Sequence, residues 1–295
     1  MKLSDIFDAR EIVRDAEFTA LGRAASDVPG TLAYAETVFY VAEAVANPQV
    51  AAVLTTRELA DRVAPPRGLV LSGAPRNRFY EIHERLLDAG QAGASMDYGV
   101  GARCVIHPSA TVSPQTRIGH DVVIRERAVL RDHVSIGDGA LIDAGAVIGA
   151  EGLLYRIDAN GDNVFVRHAG AVRIGAGVAI LSNAVIVKSV HGHPVTTVND
   201  HSIVGIGTNV GHEAQVGRNC VIASNCVVAR GARIADGAWI GTSSVIREYI
   251  SVGRGARVQA GSIVVSDVKD AQSVSGNFAV EHRKHLAQYA RLRGA

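Results

Sequence analysis

Aliphatic residues recur at every sixth position across more than half of this chain. From Ile106 the series runs Val112, Ile118, Ile124, Leu130, Ile136, Ile142 and Ile148. It slips by two before Ile174, resumes through Ile180 and Ile186, breaks at Gly192, and continues in phase from Val198 and Val204 to Val264. A fixed short period marks a repeat fold, and six is the period of a parallel β-helix, where each unit is one short strand plus a turn. Three units close a triangular coil, so residues eighteen apart stack along the axis. The position two before each aliphatic residue shares the narrow interior, and it is slim: Ala110, Thr116, Ala128, Ala140 and Ala146, later Ser202, Thr208, Ala214, Ala232 and Ala238. Glycine often follows the aliphatic residue, as at Gly119, Gly137, Gly211 and Gly217, which suits a tight left-handed turn.

The period divides the chain. Residues 1–97 lack it and read as a small α/β domain. Short strands are expected at Ala51–Thr55 and Leu69–Ser72, and amphipathic helices at Phe39–Ala46 and Arg78–Leu87. Ala89–Ala94 reads as a linker. Residues 98–267 form the repeat, with an excursion at 150–171 where Asn160-Gly161 between two apolar runs signals a hairpin, either a structural ear or the lip of a site. A second irregular stretch, Val187–Ser202, carries His191, His193 and His201. Residues 268–295 hold a loop and a basic helix, Phe278–Arg293, with Phe278, Leu286, Tyr289 and Leu292 as its apolar stripe.

Thirty Lys and Arg against 29 Asp and Glu leave a net charge of +1, which gives no electrostatic handle for nucleic acid or a membrane surface. No apolar run approaches the ~20 residues that span a bilayer. The first eleven residues carry both signs of charge and no apolar core, which argues against a secretory leader and for a cytoplasmic protein. Cys104, Cys220 and Cys226 fall at the slim inward position and read as small core residues rather than as reactive or metal-binding thiols.

A small α/β domain, a hexapeptide prism with an insertion and a short helical tail resemble the UDP-3-O-(3-hydroxyacyl)glucosamine N-acyltransferases of lipid A biosynthesis. The most specific piece is Val210-Gly211-His212-Glu213-Ala214-Gln215-Val216-Gly217, which resembles that family's motif around its catalytic histidine. The segment Gly68–Leu87 also looks like the family's strand, Pro-containing turn and helix. The resemblance implies a mostly β fold, a left-handed parallel β-helix with a small N-terminal α/β domain for nucleotide-sugar recognition, assembled as a homotrimer. It implies transfer of an acyl group, 3-hydroxyacyl in that family, from an acyl carrier protein or CoA thioester to the amine of a nucleotide-linked amino sugar. No bound cofactor or metal is implied, and acyl-ACP or acyl-CoA is a co-substrate. The carrier protein would dock at the basic helix 278–293.

Carried over position by position, His212 becomes the general base, and the backbone amide of Arg230, eighteen residues on, serves the oxyanion. Tyr34 and Tyr40, six apart, take the place of the rings that sandwich the uracil. Departures are Glu213 where the family has Asn, Tyr249 in place of a second histidine, Arg230 in place of a glycine, and a shorter tail. These leave acyl transfer to an amine in view while loosening the lipid A substrate.

The residues themselves fit that chemistry. A histidine titrates near neutral pH and is suited to accept the proton an attacking amine sheds. His212 lies two after the inward Val210, so it should project from the prism near a corner, with Glu213 or a carbonyl to fix its tautomer. Asn209, His193, Glu213 and Arg230 are candidate substrate contacts. An acetyl-CoA-dependent nucleotide-amino-sugar N-acetyltransferase is the nearest alternative. Two other classes stay open: a zinc-dependent trimeric β-helix hydratase built on His191, His193, His201 and His212, and a non-catalytic binding trimer.

Overall fold

The computed structural model describes residues 1–91, 96–193, 195–276 and 281–292. Three parallel sheets of nine, eight and eight short strands stack into a prism that runs from Gly99 to Val274. The chain visits them in turn. Ile106, Ile124 and Ile142 line the first face, Val112, Leu130 and Ile148 the second, and Ile118 and Ile136 the third, each paired with its equivalent eighteen residues away. These aliphatic rows and the slim residues beside them form one continuous buried core.

The irregularities of the period have simple lengths. Ile136 pairs with Ile174, twenty residues more than one coil, which produces the slip of two. Ile174 pairs with Val198, six more than one coil, so the phase survives. Near the end, Val258 pairs with Val274, two short of a coil, and the prism therefore continues past Asp267 in a shifted phase. It also starts earlier than the aliphatic series, at the strand Gly99–Val100.

Backbone polarity at the turns is met from the neighbouring coil. Along one edge the carboxylates of Asp138, Asp200, Asp236 and Asp270 accept from the amides of His120, Ala176, Arg218 and Arg254. The three cysteines are free thiols in the slim row. Each donates to a carbonyl of the next coil, and burial pushes the thiols of Cys220 and Cys226 up. They are core residues.

The N-terminal domain is a five-stranded sheet with helices on both faces. Its strands are β1 (Ile12–Arg14), β2 (Ala20–Gly22), β3 (Thr31–Ala35), β4 (Val50–Thr55) and β5 (Gly68–Leu71), in the order β1-β5-β4-β3-β2. Only β1 is antiparallel to its neighbour. Alternation sends Ala33, Ala35 and Val53 towards α1 (Val38–Ala46), and Leu32, Leu54 and Val70 towards α2 (Pro75–Asp88). The expected strands and helices are present with ends moved by one to three residues. Pro75 stands at the first helical position, where its missing N–H costs nothing, and so α2 starts earlier than its apolar stripe. The expectation omitted β1, β2 and β3, because two are three residues long and β3 is Ala-rich.

The core under α2 does not stop at the domain. Leu154, Val166 and Val190, all from the two irregular stretches, pack into it. The 150–171 excursion forms a hairpin of β6 (Tyr155–Ile157) and β7 (Asn163–Phe165), turning through Asn160-Gly161. Arg76 and Asn77 of α2 donate to the carbonyls of Tyr155 and Ile157, while Arg167 pairs with Glu84 and Asp88. The hairpin thus bolts the α/β domain to the prism. At the tail, α3 (His282–Leu292) presents His282, Arg283, Lys284 and Arg291 to solvent. Phe278 and Arg293, the side chains of His285, Leu286 and Tyr289, and residues 92–94 of the expected linker lie outside the described residues.

Candidate active site at one edge of the prism

Both insertions leave the prism at the same edge, where the second face passes to the third. Successive coils place Glu151–Ala171, Lys188–His193, His212-Glu213, Arg230-Gly231 and Tyr249 one above another along it. The α/β domain packs against this edge. Between them lies a cleft of about 480 Å³, walled by Arg23, Tyr34, Phe39, Tyr40 and Tyr80 on one side and by His212, Glu213, Arg230, Arg233 and Tyr249 on the other.

His212 is 8% exposed. Its Nδ1 is buried with no hydrogen-bond partner among the described residues, which leaves Nε2 as the nitrogen at the cleft. Burial, then the neighbouring His168 and the cations Arg230 and Arg23, lower its pKa to about 3. It is therefore a neutral imidazole at physiological pH, with a lone pair free for a proton.

The turn next to it is shaped by left-handed backbone. Glu213, Gly231 and Tyr249 occupy equivalent positions in three coils, with φ of 63°, 62° and 60°. Gly231 leaves a gap that the Tyr249 ring fills; a Cβ at 231 would lie 2.5 Å from two of its ring carbons. The Arg23 guanidinium reaches over from the α/β domain, 4.6 Å from the centre of the Tyr249 ring and with Nε 3.5 Å from Glu213 Oε2. The Arg230 guanidinium also stacks on Tyr249, at 5.4 Å. Burial pushes the Glu213 carboxyl up, with Arg23 opposing. Glu213 thus pairs with Arg23 rather than fixing the His212 ring, and its Oε2 has no hydrogen bond among the described residues.

Behind His212 sits a second polar group contributed by the insertions. Glu151 Oε1 is 3.1 Å from Lys188 Nζ, and Oε2 is 3.1 Å from His168 Nδ1 and accepts from the His168 amide at 2.7 Å. Burial alone would raise the Glu151 carboxyl, yet His168 and Lys188 outweigh it and hold it at about 2. The His168 and His212 rings meet edge to face, 5.4 Å apart. Further along, His191 stacks on Tyr80 and meets His83 edge to face; burial holds both histidines below the usual range.

The remaining expected residues fall as follows. Tyr34 is packed against Phe79 and Tyr80, its ring 5.0 Å from that of Phe79, whereas Tyr40 is exposed on the rim beside Phe39. Both line the cleft from one domain. His193 is exposed and lies in a neighbouring pocket that shares Arg23, Glu213 and Arg233. Asn209 is on the outer row of the second face, between Val185 and Val227, away from the cleft lining. The amide of Gly231 donates to the His212 carbonyl, which leaves the Arg230 amide as the candidate oxyanion donor. His201 takes a left-handed turn at a different edge, against Gly177, so the four histidines of the zinc reading do not converge.

Sequence reasoning missed Arg23, Tyr80, Glu151 and His168. All lie far from the motif in the chain and outside the period. The signal available was the coincidence of both insertions at one edge, which follows from counting residues between Ile148, Ile186 and Val210.

Residues 115–150 match the family model described as bacterial transferase hexapeptide (six repeats). Among solved structures the chain is similar to the UDP-N-acetylglucosamine acyltransferase LpxA of Bacteroides fragilis. Identity is 21% over 67% of this chain and 76% of that one, with a TM-score of 0.53. It is also similar to the UDP-N-acetylglucosamine acyltransferase of Campylobacter jejuni, at 21% identity, 63% and 82% coverage and a TM-score of 0.48. AntD, an N-acyltransferase from Bacillus cereus, covers 91% of its own length and 66% of this chain at 16% identity and a TM-score of 0.26. No curated protein matches the chain in sequence. The fold is a left-handed parallel β-helix with hexapeptide repeats.

Proposed function

We propose that the protein is an N-acyltransferase that moves an acyl group from a thioester to the amine of a nucleotide-linked amino sugar. The observation that carries this reading is the placement of a buried, neutral His212 at the floor of a cleft walled by guanidinium groups and aromatic rings. Arg23, Arg230 and Arg233 suit the phosphates of a nucleotide. Tyr34, Phe39 and Tyr40 suit stacking on its base. The acceptor amine lies at His212 Nε2, with Glu213 beside it to receive an N–H or O–H of the sugar.

The amine, delivered neutral, attacks the thioester carbonyl. The N–H it must shed becomes more acidic as the C–N bond forms, and His212 Nε2 accepts it. The Arg230 amide receives the oxyanion, and the thiolate departs with the proton from His212. The donor is a 3-hydroxyacyl carrier protein or an acyl-CoA, the former docking at the basic helix α3. The acceptor belongs to lipid A or related cell-surface glycan synthesis, in the cytoplasm.

The reading includes a homotrimer. Two faces of the prism are apolar on their outer rows: Val105, Val123, Leu141, Ile203 and Val221 on the first, and Val129, Val147, Val185 and Val227 on the second. The third presents Arg117, Ser135, Arg173, Gln215 and Arg233. Two apolar faces meeting at one edge are what a three-fold assembly covers.

The experiment is thiol release from 3-hydroxyacyl carrier protein and from acetyl-CoA with a panel of nucleotide amino sugars, comparing wild type with His212→Ala. Release by wild type alone supports the reading, and the productive pair names donor and acceptor. Equal release by both proteins removes His212 as the base, and no release from any pair removes acyl transfer.

A further inference from the structure

Two domains bring guanidinium groups to one aromatic ring. Arg23 comes from the turn after β2, and Arg230 from the turn of the prism one coil beyond His212. Their Cζ atoms lie 4.6 and 5.4 Å from the centre of the Tyr249 ring. The ring itself is seated: it occupies the space a side chain at Gly231 would take. Arg233, at the start of the next strand, adds a third guanidinium to the same cleft. Among the described residues, the one carboxylate within ion-pair distance of any of the three is the buried Glu213, 3.5 Å from Arg23. Glu43 also lines the cleft but pairs with none of them among the described residues. The cleft thus holds more positive than negative charge. Bringing like charges together is unfavourable, and the negative face of a ring offsets part of that cost for the two groups stacked on it.

We propose that Tyr249 is a positioning residue whose ring holds the Arg23 and Arg230 guanidiniums ready to grip a diphosphate. The inference rests on the reading of the cleft as a nucleotide-sugar site. Phosphate oxygens accept paired N–H bonds from the guanidinium fork, and a diphosphate offers two such groups in one ligand. Stacking uses the face of the guanidinium and hydrogen bonding its edge, so an arginine laid on a ring keeps its donors free. An arginine without that support gives up its rotamer freedom when the anion arrives, whereas a stacked one has already done so. Arg23 belongs to the α/β domain and Arg230 to the prism, so one ring sets both halves of the grip. A diphosphate is present both in a nucleotide sugar and in coenzyme A. Tyr34, Phe39 and Tyr40, lining the same cleft, favour the nucleotide.

The test is titration calorimetry of the full chain with UDP, dTDP and coenzyme A, beside thiol-release kinetics. Tyr249→Phe keeps the ring face, Tyr249→Leu removes it, and Arg230→Gln removes one guanidinium while keeping the backbone amide. UDP or dTDP is expected to bind wild type and Tyr249→Phe alike, and Tyr249→Leu about 10-fold more weakly, the size of two exposed cation–π contacts. In the Arg230→Gln background the same Leu replacement should weaken binding less, because the ring then supports one guanidinium instead of two. A ring that served only as packing would cost the same in both backgrounds. Where thiol is released, the KM for the nucleotide sugar rises in step and kcat changes less. Should Tyr249→Leu fail to fold, Tyr249→Met fills the same gap without a ring and takes its place. The proposal is overturned if the ringless variant binds as tightly as wild type, if Tyr249→Phe binds as weakly as Leu, or if wild type binds none of the three ligands. Tyr249-dependent binding of coenzyme A alone upholds the grip and makes the acyl donor the source of the diphosphate. Tyr249-dependent nucleotide binding in protein that releases thiol from no donor upholds the grip and overturns acyl transfer instead.

Discussion

Three side chains meet over a residue that has none. Arg23 pairs with Glu213 in one coil and stacks on Tyr249 two coils above, and it crosses the gap that Gly231 leaves between them. Gly231→Ala adds both left-handed strain, about 1–3 kcal/mol for a side chain held there, and a collision with Tyr249. Denaturant unfolding should show that loss, with part of it recovered when Tyr249→Ala is added. Arg23→Gln leaves Glu213 buried with its charge unmatched and should cost about 1–3 kcal/mol; Glu213→Gln in the same chain should return most of it. The histidines make a separate prediction. His212, His191 and His83 all have folded pKa values below their unfolded value of about 6.5. Below that pH the unfolded chain binds more protons than the native one, so stability is full above about pH 6.5 and is lost as pH falls from there towards about 3. Urea midpoints between pH 7.5 and 5 should fall, and His212→Asn should flatten the slope.

At the scale of elements, the aliphatic rows were legible because each strand repeats one pattern and nothing in the interior depends on distant sequence. Ile222, sealed between Val204 and Ile240, illustrates it: truncation to Ala should cost about 2–5 kcal/mol by calorimetry or chemical unfolding. The motif around His212 was legible for the same reason, since its distance from Val210 places it at a corner. What surrounds it was not. Glu151 and His168 come from an excursion whose path no period constrains, and Arg23 arrives from another domain through packing of α2 on the hairpin. The left-handed turns at Glu213 and Tyr249 were hidden too, because neither residue type advertises that conformation. β1 and β2 escaped because three residues carry too little alternation to separate from a loop.

For the whole molecule, the outer rows divide the prism into two apolar faces and one polar face, a pattern set by single residues repeated every coil. Replacing Val123 and Leu141 together by Lys should yield a smaller species in light scattering, with the far-ultraviolet spectrum of the prism retained, if copies of the chain assemble through the first face. The stacking that makes those rows also fixes distances along the edge. Neighbouring strands sit about 4.8 Å apart, so a step from His212 to the level of Arg230 and a second to the level of Tyr249 are two graduations of a rigid scale, roughly 10 Å in all. A molecule that touches His212 at one end and the Tyr249 ring at the other is measured against that scale. Removing or adding one eighteen-residue coil between them would leave the chemistry at His212 in place and re-mark the length it accepts.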